Sequence, residues 1–295
     1  MTKSGYIAIV GRPNVGKSTL MNRILRQKLS ITCRKPQTTR HQIVGVKTEG
    51  DVQAIYVDTP GIHDRNERAI NRAMNRAATS VLNDVDVVIF IVEALKWTTL
   101  ESSIVQRFSY LNVPVILVVN KVDQVKPKAN LLPFMAEVST KYDFASVMPV
   151  SAKSGQQVEE LEKLVATYLP ENEFIYDEDQ LTDRSERFLV SEIIREKLMR
   201  TMGQEVPYQL TVQIDQFKHD DEKNIIDISA TILVERATQK SMIIGGQGGR
   251  LKQIGSDARK DIELLLDSKV YLQLWVKVKE GWSDDDHALK SLGYE

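Results

Sequence analysis

Gly11-Arg-Pro-Asn-Val-Gly-Lys-Ser18 stands directly after the apolar run Tyr6–Val10 and opens a helix-like stretch at 17–27. The eight residues fit G-x-x-x-x-G-K-[ST] in the strand-then-helix context that the pattern requires. Chemistry accounts for the spacing. Gly11 and Gly16 let backbone N–H groups turn inward around phosphate oxygens without a Cβ in the way. The helix that follows points its positive end at the same anion. Lys17 is placed to reach the β and γ phosphates, and the Ser18 hydroxyl to ligate Mg²⁺. Gly11, Asn14, Val15, Gly16, Lys17, Ser18 and Thr19 are the expected phosphate-binding set.

Working outward, three further elements each close an apolar run. Asp58-Thr-Pro-Gly61 ends Val52–Val57, where the Asp58 carboxylate suits magnesium's shell and the Gly61 N–H suits a γ-phosphate. Asn120-Lys-Val-Asp123 follows Val113–Val119. Asp123 can accept from both the N1–H and the amine of guanine, and adenine offers neither donor there. A buried polar group left unpaired by the wrong base costs about 1–3 kcal/mol, so Asp123 sets base choice. Asn120 and Lys121 are expected to tie this loop to the phosphate loop and cover the ring. Ser151-Ala-Lys153, after Ser146–Val150, completes the base pocket. The polar loop 30–41 holds Thr38 and Thr39, one of which is expected to join Ser18 and Asp58 on Mg²⁺. The residues alone leave that choice open. GTP and GDP are the implied ligands, and a phosphate-binding set with Lys17 and Gly61 at the γ-phosphate implies phosphoryl transfer to water. Ile62, where Ras-like proteins carry a water-orienting glutamine, predicts slow intrinsic turnover; His63 beside it is read as solvated.

Several of these runs are nearly continuous in Val and Ile, as strands buried on both faces of a parallel sheet are. With Ile43–Lys47 and Val85–Val92 they make six strand candidates. Helix-like stretches at 17–27, 66–82, 100–110, 128–141 and 156–168 alternate with them. The fold class expected is α/β, a doubly wound, mostly parallel sheet, over residues 1–172. Pro170 and an acidic stretch mark a linker at 173–182, and residues 183–295 form a smaller α+β domain.

Of 295 residues, 42% are apolar and 27% charged, ordinary for a globular protein. No apolar run reaches the roughly 20 residues that span a bilayer. The single cysteine, Cys33, cannot form an internal disulfide, which fits the cytoplasm. Residues 1–172 carry 22 Lys and Arg against 16 Asp and Glu; the remainder carries 17 against 24. Neither half has the strongly basic balance that announces a nucleic-acid binder by itself.

The second half reads α-β-β-α-α-β. Asp183 and Glu186 suggest a capping box for a helix running to about Arg200. Strand-like Gln209–Phe217 and Asn224–Glu235 follow, then a helix near 238–244, a glycine-rich turn, a helix at 248–266 and a strand at 270–278. The turn is Gly245-Gly246-Gln247-Gly248, a G-x-x-G loop between helices of the kind that admits a single-stranded RNA backbone. Arg236, Lys240, Arg250 and Lys252 flank it, so the local patch is basic although its domain is acidic. Trp275 is expected in the core, and Trp282 is left unassigned.

Gly11–Ser18, Gln37-Thr-Thr-Arg-His41, Asp58–Gly61, Asn120–Asp123, Asp183-Arg-Ser-Glu-Arg187, the Gly245–Gly248 loop, Trp275–Trp282 and Ser291-Leu-Gly-Tyr294 together resemble the Era family of bacterial ribosome-assembly GTPases over nearly the whole chain. The resemblance implies a P-loop GTPase domain followed by a type II KH domain. It implies Thr39 as the switch ligand to Mg²⁺, with Lys17, Thr39 and Gly61 acting in catalysis, and Asn14 helping to hold K⁺ near the phosphates. It further implies that Arg236, Lys240, Gly245–Gly248, Arg250 and Lys252 bind the 3′ end of 16S rRNA on the small (30S) subunit; the protein is expected to be a monomer. Some peripheral inner-membrane association is also implied, although no amphipathic anchor or polybasic cluster is visible.

Overall fold

The computed structural model describes every residue except Arg34, Pro36, 62–68, 203–208, Asp221, Lys223 and 293–295. By packing, the chain falls into two units, with the main boundary at Asp183/Arg184 and the short segment Cys33–Thr38 grouping with the second. Each is described by itself.

The first unit is built on a six-stranded sheet of β1 (Lys3–Val10), β2 (Ile43–Glu49), β3 (Val52–Asp58), β4 (Val87–Glu93), β5 (Val115–Asn120) and β6 (Ser146–Pro149). Their order is β2-β3-β1-β4-β5-β6, and only β2 runs antiparallel to its neighbour. β4 and β5 are buried nearly end to end, which is why they read as unbroken apolar runs rather than as alternating ones. Between the strands run α1 (Lys17–Leu25), α2 (Ala69–Ser80), α3 (Thr99–Phe108), α4 (Leu131–Ser139) and α5 (Val158–Tyr168). Thr98 caps α3 in a capping box with Glu101. Phe90 on β4 meets Phe108 edge-on, with ring centres 5.3 Å apart. This arrangement puts the C-terminal ends of β1, β3, β5 and β6 on one rim, where open α/β sheets bind ligands.

The second unit comprises α6 (Glu186–Thr201), β7 (Leu210–Asp220), β8 (Ile225–Val234), α7 (Ala237–Ile244), α8 (Gly249–Leu266), β9 (Lys269–Val278) and α9 (Asp286–Ser291). Its sheet order is β7-β8-β9, antiparallel across β7/β8 and parallel across β8/β9. The ladder slips by one residue at Asp215, a bulge. Ile226, Ile228, Ala230, Ile232 and Val234 point from β8 into a core completed by Ile254, Ala258 and Ile262 of α8.

Two sequence expectations change here. α6 is capped by Ser185, whose Oγ accepts from the Phe188 N–H at 3.3 Å, and not by Asp183. Trp275 is 57% exposed and lies outside the core, whereas Trp282 is fully buried. β9 is an edge strand, so one face of its alternation packs while the other meets solvent. Trp282 follows the strand, where no periodicity predicts burial.

Truncating Trp282 to alanine is therefore expected to destabilise the second unit by about 3–5 kcal/mol. Trp275→Ala is expected to stay within about 0.5 kcal/mol of the wild type. Chemical denaturation of the full chain, followed by circular dichroism, checks both.

Candidate functional site

The phosphate loop is shaped by what surrounds it. Gly16 sits at φ 111°, and a Cβ there would lie 2.2 Å from Asn120 Nδ2. At Gly11 a Cβ would lie 2.4 Å from the Ile91 carbonyl oxygen. Neither position has room for a side chain. Asn14 also takes a left-handed conformation, φ 64°, at the exposed crest of the loop. Val15 is buried beneath it, and Thr19 is half-buried on α1. Gly61 approaches the loop from the β3 side, where an added Cβ would stand 2.9 Å from the Pro13 nitrogen. The Thr59 hydroxyl donates to the Ile9 carbonyl at 2.9 Å, fixing this turn to β1.

Lys17 is buried and donates from Nζ to the carbonyls of Gly11 (3.0 Å) and Arg12 (3.1 Å). Burial lowers its pKa to about 8, against the opposing pull of Asp58. An ammonium held in so dry a niche gains strongly from an anion.

Three oxygens converge beside it. Ser18 Oγ donates to Asp58 Oδ2 at 2.7 Å and lies 2.9 Å from Thr39 Oγ1, which stands 3.5 Å from the same carboxylate oxygen. Asp58 is fully buried, and burial raises its pKa against the effects of Lys17, Ser18 and Thr39. Its Oδ1 has no hydrogen-bond partner among the described residues. Two hydroxyls and a buried carboxylate with an uncompensated oxygen are the hard donor set that Mg²⁺ takes alongside phosphate oxygens. The set fits the ion. The Thr38 hydroxyl donates instead to the Lys35 carbonyl at 2.6 Å.

Asn120 joins the two halves of the pocket. Its Nδ2 donates to the Val15 carbonyl at 2.8 Å, and its Oδ1 accepts from the Ala152 N–H at 3.0 Å. Asp123 accepts from the Ser151 hydroxyl at 2.7 Å, and Ser151 also receives the Ser154 N–H. Lys121, at φ 66°, pairs with Glu93 at 2.9 Å; Lys153 is exposed. The nucleotide-set residues chosen from sequence thus surround one cradle. Ile62 and His63 lie outside the described residues.

Sequence reading passed over three supports. Arg23 on α1 donates to the carbonyls of Ala152 and Lys153, bracing the base loop from below. Arg12 bridges Glu93 and the fully buried Glu101. Burial alone would raise the Glu93 pKa, yet Lys96 and Lys121 hold it down at about 2. Nothing in the sequence separates these from ordinary surface charges, because their partners lie 80 or more residues away except for Lys121 and Lys96.

In the second unit, α7 ends at Gly245 (φ 69°), and Gln247 and Gly248 (φ 51° and 75°) complete a tight turn into α8. A Cβ at Gly246 or Gly248 would meet nothing within 4 Å, so the crest is open. At Gly245 it would lie 2.7 Å from Arg250 Cβ. Arg250 donates to the Met242 carbonyl across the turn. Arg236, Arg250 and Lys252 are exposed, and Lys240 is half-buried on α7.

Two family models match the chain: a 50S ribosome-binding GTPase model over residues 6–121 and a KH domain model over 205–283. The chain is 57% identical to the GTPase Era of Pseudomonas putida strain F1 over 293 residues, taking in 99% of this chain and 97% of that one. Identity to the GTPase Era of Pseudomonas aeruginosa is also 57%, over 99% and 95% of the two chains. A crystal structure of Era with MgGDPNP and nucleotides 1506–1542 of 16S ribosomal RNA superposes with a TM-score of 0.96 at 41% identity, covering 100% of this chain and 99% of the other. An Aquifex aeolicus Era variant bound to GDP and aluminium fluoride gives 0.96 at 40%, covering 99% of each.

Gly16→Ala should force the loop off Asn120 at a cost of about 1–3 kcal/mol. Nucleotide affinity, measured with a fluorescent GDP, is expected to fall at least about tenfold while the sheet's dichroism is kept. Glu93 has a folded pKa below its ordinary 4.5, so its contribution is full above that value and is lost as pH falls towards 2. Melting temperatures across that window should fall less steeply in Glu93→Gln than in the wild type.

Proposed function

The chain belongs to the Era family of GTPases, and from that premise we propose that it is a slow GTP-driven switch whose nucleotide state governs binding to the 3′ end of 16S rRNA during small (30S) subunit assembly. The observation that carries the nucleotide half is the convergence of Ser18, Thr39 and Asp58 beside buried Lys17. In this reading Ser18, Thr39 and Asp58 hold Mg²⁺, which supplies charge neutralisation on the phosphate oxygens. Lys17 would neutralise charge on the β and γ phosphates. Gly61 offers its N–H to the γ-phosphate while a water oxygen attacks phosphorus and the bond to the β–γ bridging oxygen breaks. GDP and inorganic phosphate leave. Asp123 reads guanine, held in place by Ser151 and by the Asn120 bridge.

Ile62 brings no polar group to the attacking water, so turnover waits on help from elsewhere. One source is K⁺ held with the aid of Asn14. Another is the RNA partner, bound at Gly245–Gly248 with Arg236, Lys240, Arg250 and Lys252. The solved relative carrying 16S nucleotides supports the small subunit as target, over the large subunit named in the broader GTPase model. The protein works as a cytoplasmic monomer with a peripheral inner-membrane fraction; no described helix is long and apolar enough to cross a membrane.

GTP hydrolysis by the full chain is expected to rise when a short RNA copying the 3′ end of 16S rRNA is added. That rise should vanish in a Gly245→Asp, Gly248→Asp variant. Absence of any rise in the wild type would detach the RNA from the switch. Replacing Na⁺ by K⁺ should also speed hydrolysis, and equal rates would remove K⁺ from the account.

A further inference from the structure

The strand order places β4 between β1, which runs into the phosphate loop, and β5, which runs into the guanine loop. β1, β3, β5 and β6 each carry a nucleotide motif at the C-terminal end, and β4 carries none that the sequence marks. What it brings to that rim is Glu93, whose register partner on β5 is Asn120. The backbone is pinned here, because the Ala94 N–H donates to the Asn120 carbonyl at 2.8 Å. Glu93 Oε2 accepts from Lys121 Nζ at 2.9 Å and from Arg12 Nη2 at 3.2 Å. One carboxylate oxygen therefore joins a residue of the phosphate loop to a residue of the guanine loop. Its other oxygen takes Lys96.

The two ends of this relay differ in freedom. Arg12 is anchored a second time, its Nε donating at 2.5 Å to Glu101, which is fully buried and also receives the Thr98 N–H at 2.9 Å. Lys121 stands in the guanine loop at φ 66°, and Glu93 is the carboxylate that holds its ammonium. A lysine lays its carbon stem along an apolar face when a polar partner takes its charged head. An untethered lysine loses rotamer freedom on settling against a ring, and a tether made in advance removes that loss from binding. The pair with Lys96 is open to solvent, since that side chain is 59% exposed, and such pairs contribute little. Burial alone would raise the Glu93 pKa, but Lys96 and Lys121 bring it to about 2, so the tether is a full carboxylate at neutral pH.

We infer that Glu93 is a positioning residue for the nucleotide: anchored to the phosphate loop through Arg12, it holds the Lys121 ammonium so that the lysine stem is set to cover the guanine ring before the nucleotide arrives. The inference rests on the guanine-nucleotide reading proposed above. A stem laid on a purine face does not tell one purine from another, so Glu93 governs affinity and leaves the choice of base to Asp123. The base takes no part in the reaction, so the contact is the same in the ground and transition states.

Steady-state GTP hydrolysis by the full chain in Mg²⁺ tests this. Glu93→Gln keeps the side chain's shape and removes its charge. Its KM for GTP should rise by about tenfold, the scale of one hydrogen bond to a charged group, with kcat unchanged, as expected when binding is lost equally from both states. Glu93→Asp, which keeps the charge, should recover most of that loss. Lys121→Ala should raise KM at least as much, and adding Glu93→Gln to it should raise KM no further. The ratio of KM for ITP, which lacks the exocyclic amine, to KM for GTP should be the same in Glu93→Gln as in the wild type. An unchanged KM in Glu93→Gln overturns the inference, as does a fall in kcat or the absence of recovery in Glu93→Asp. So does a rise that persists on the Lys121→Ala background, because Glu93 would then act by another route. A collapsed ratio of ITP to GTP also overturns it, since Asp123 would have been displaced. A Lys121→Ala variant that binds GTP as the wild type does defeats the ring-covering role of Lys121, and this inference with it.

Discussion

The nucleotide cradle hangs on one carboxamide. Asn120 ends β5 and reaches across to the Val15 carbonyl with its nitrogen and to the Ala152 N–H with its oxygen. One buried side chain thus fixes the phosphate loop after β1 against the base loop after β6, although β4 and β5 lie between those strands. Both of its hydrogen bonds are made away from water, where removing one partner leaves the other to bear the desolvation cost. The same contact explains Gly16, which must be glycine because the amide occupies the space where a Cβ would go. Sequence motifs 105 residues apart become one object through this link.

Around that link the site concentrates charge in a dry place. Lys17 and Asp58 are each buried and each pushed towards its neutral form, yet they remain in reach of one another's field. A cluster of this kind is costly unless a ligand completes it. Its cost is what makes the pocket responsive. A triphosphate and a divalent cation supply the charges that the protein alone leaves uncompensated, and Thr39 joins the set from a loop rather than from the sheet. Loop ligands can be surrendered when the γ-phosphate leaves, which is how order–disorder switches work.

Much of this was legible in the sequence for a physical reason. Phosphate, magnesium and guanine recognition demand particular residues at particular strand ends, so Gly11–Ser18, Asp58, Asn120–Asp123 and Ser151 declare themselves by spacing. The buried strands β4 and β5 declare themselves by unbroken Val and Ile. What stayed hidden depends on long-range packing. Arg23 looks like any helix arginine until the Ala152 and Lys153 carbonyls are placed beside it. Trp275 lies outside the core, against expectation, because alternation shows that a strand has two faces without showing which one is covered; Trp282, left unassigned by the sequence, is buried beyond the strand's end. Ser185 rather than Asp183 caps α6 because the cap depends on where the chain turns, and both residue types suit the role.

Competition between GTP and ATP for the full chain, read by displacement of a fluorescent GDP in Mg²⁺, tests the central claim most directly. The account predicts that GTP displaces the probe while ATP at a hundredfold excess does not, and that Asn120→Ala weakens GTP binding by at least about tenfold. Equal displacement by ATP, or an Asn120→Ala variant that binds GTP as the wild type does, would contradict it.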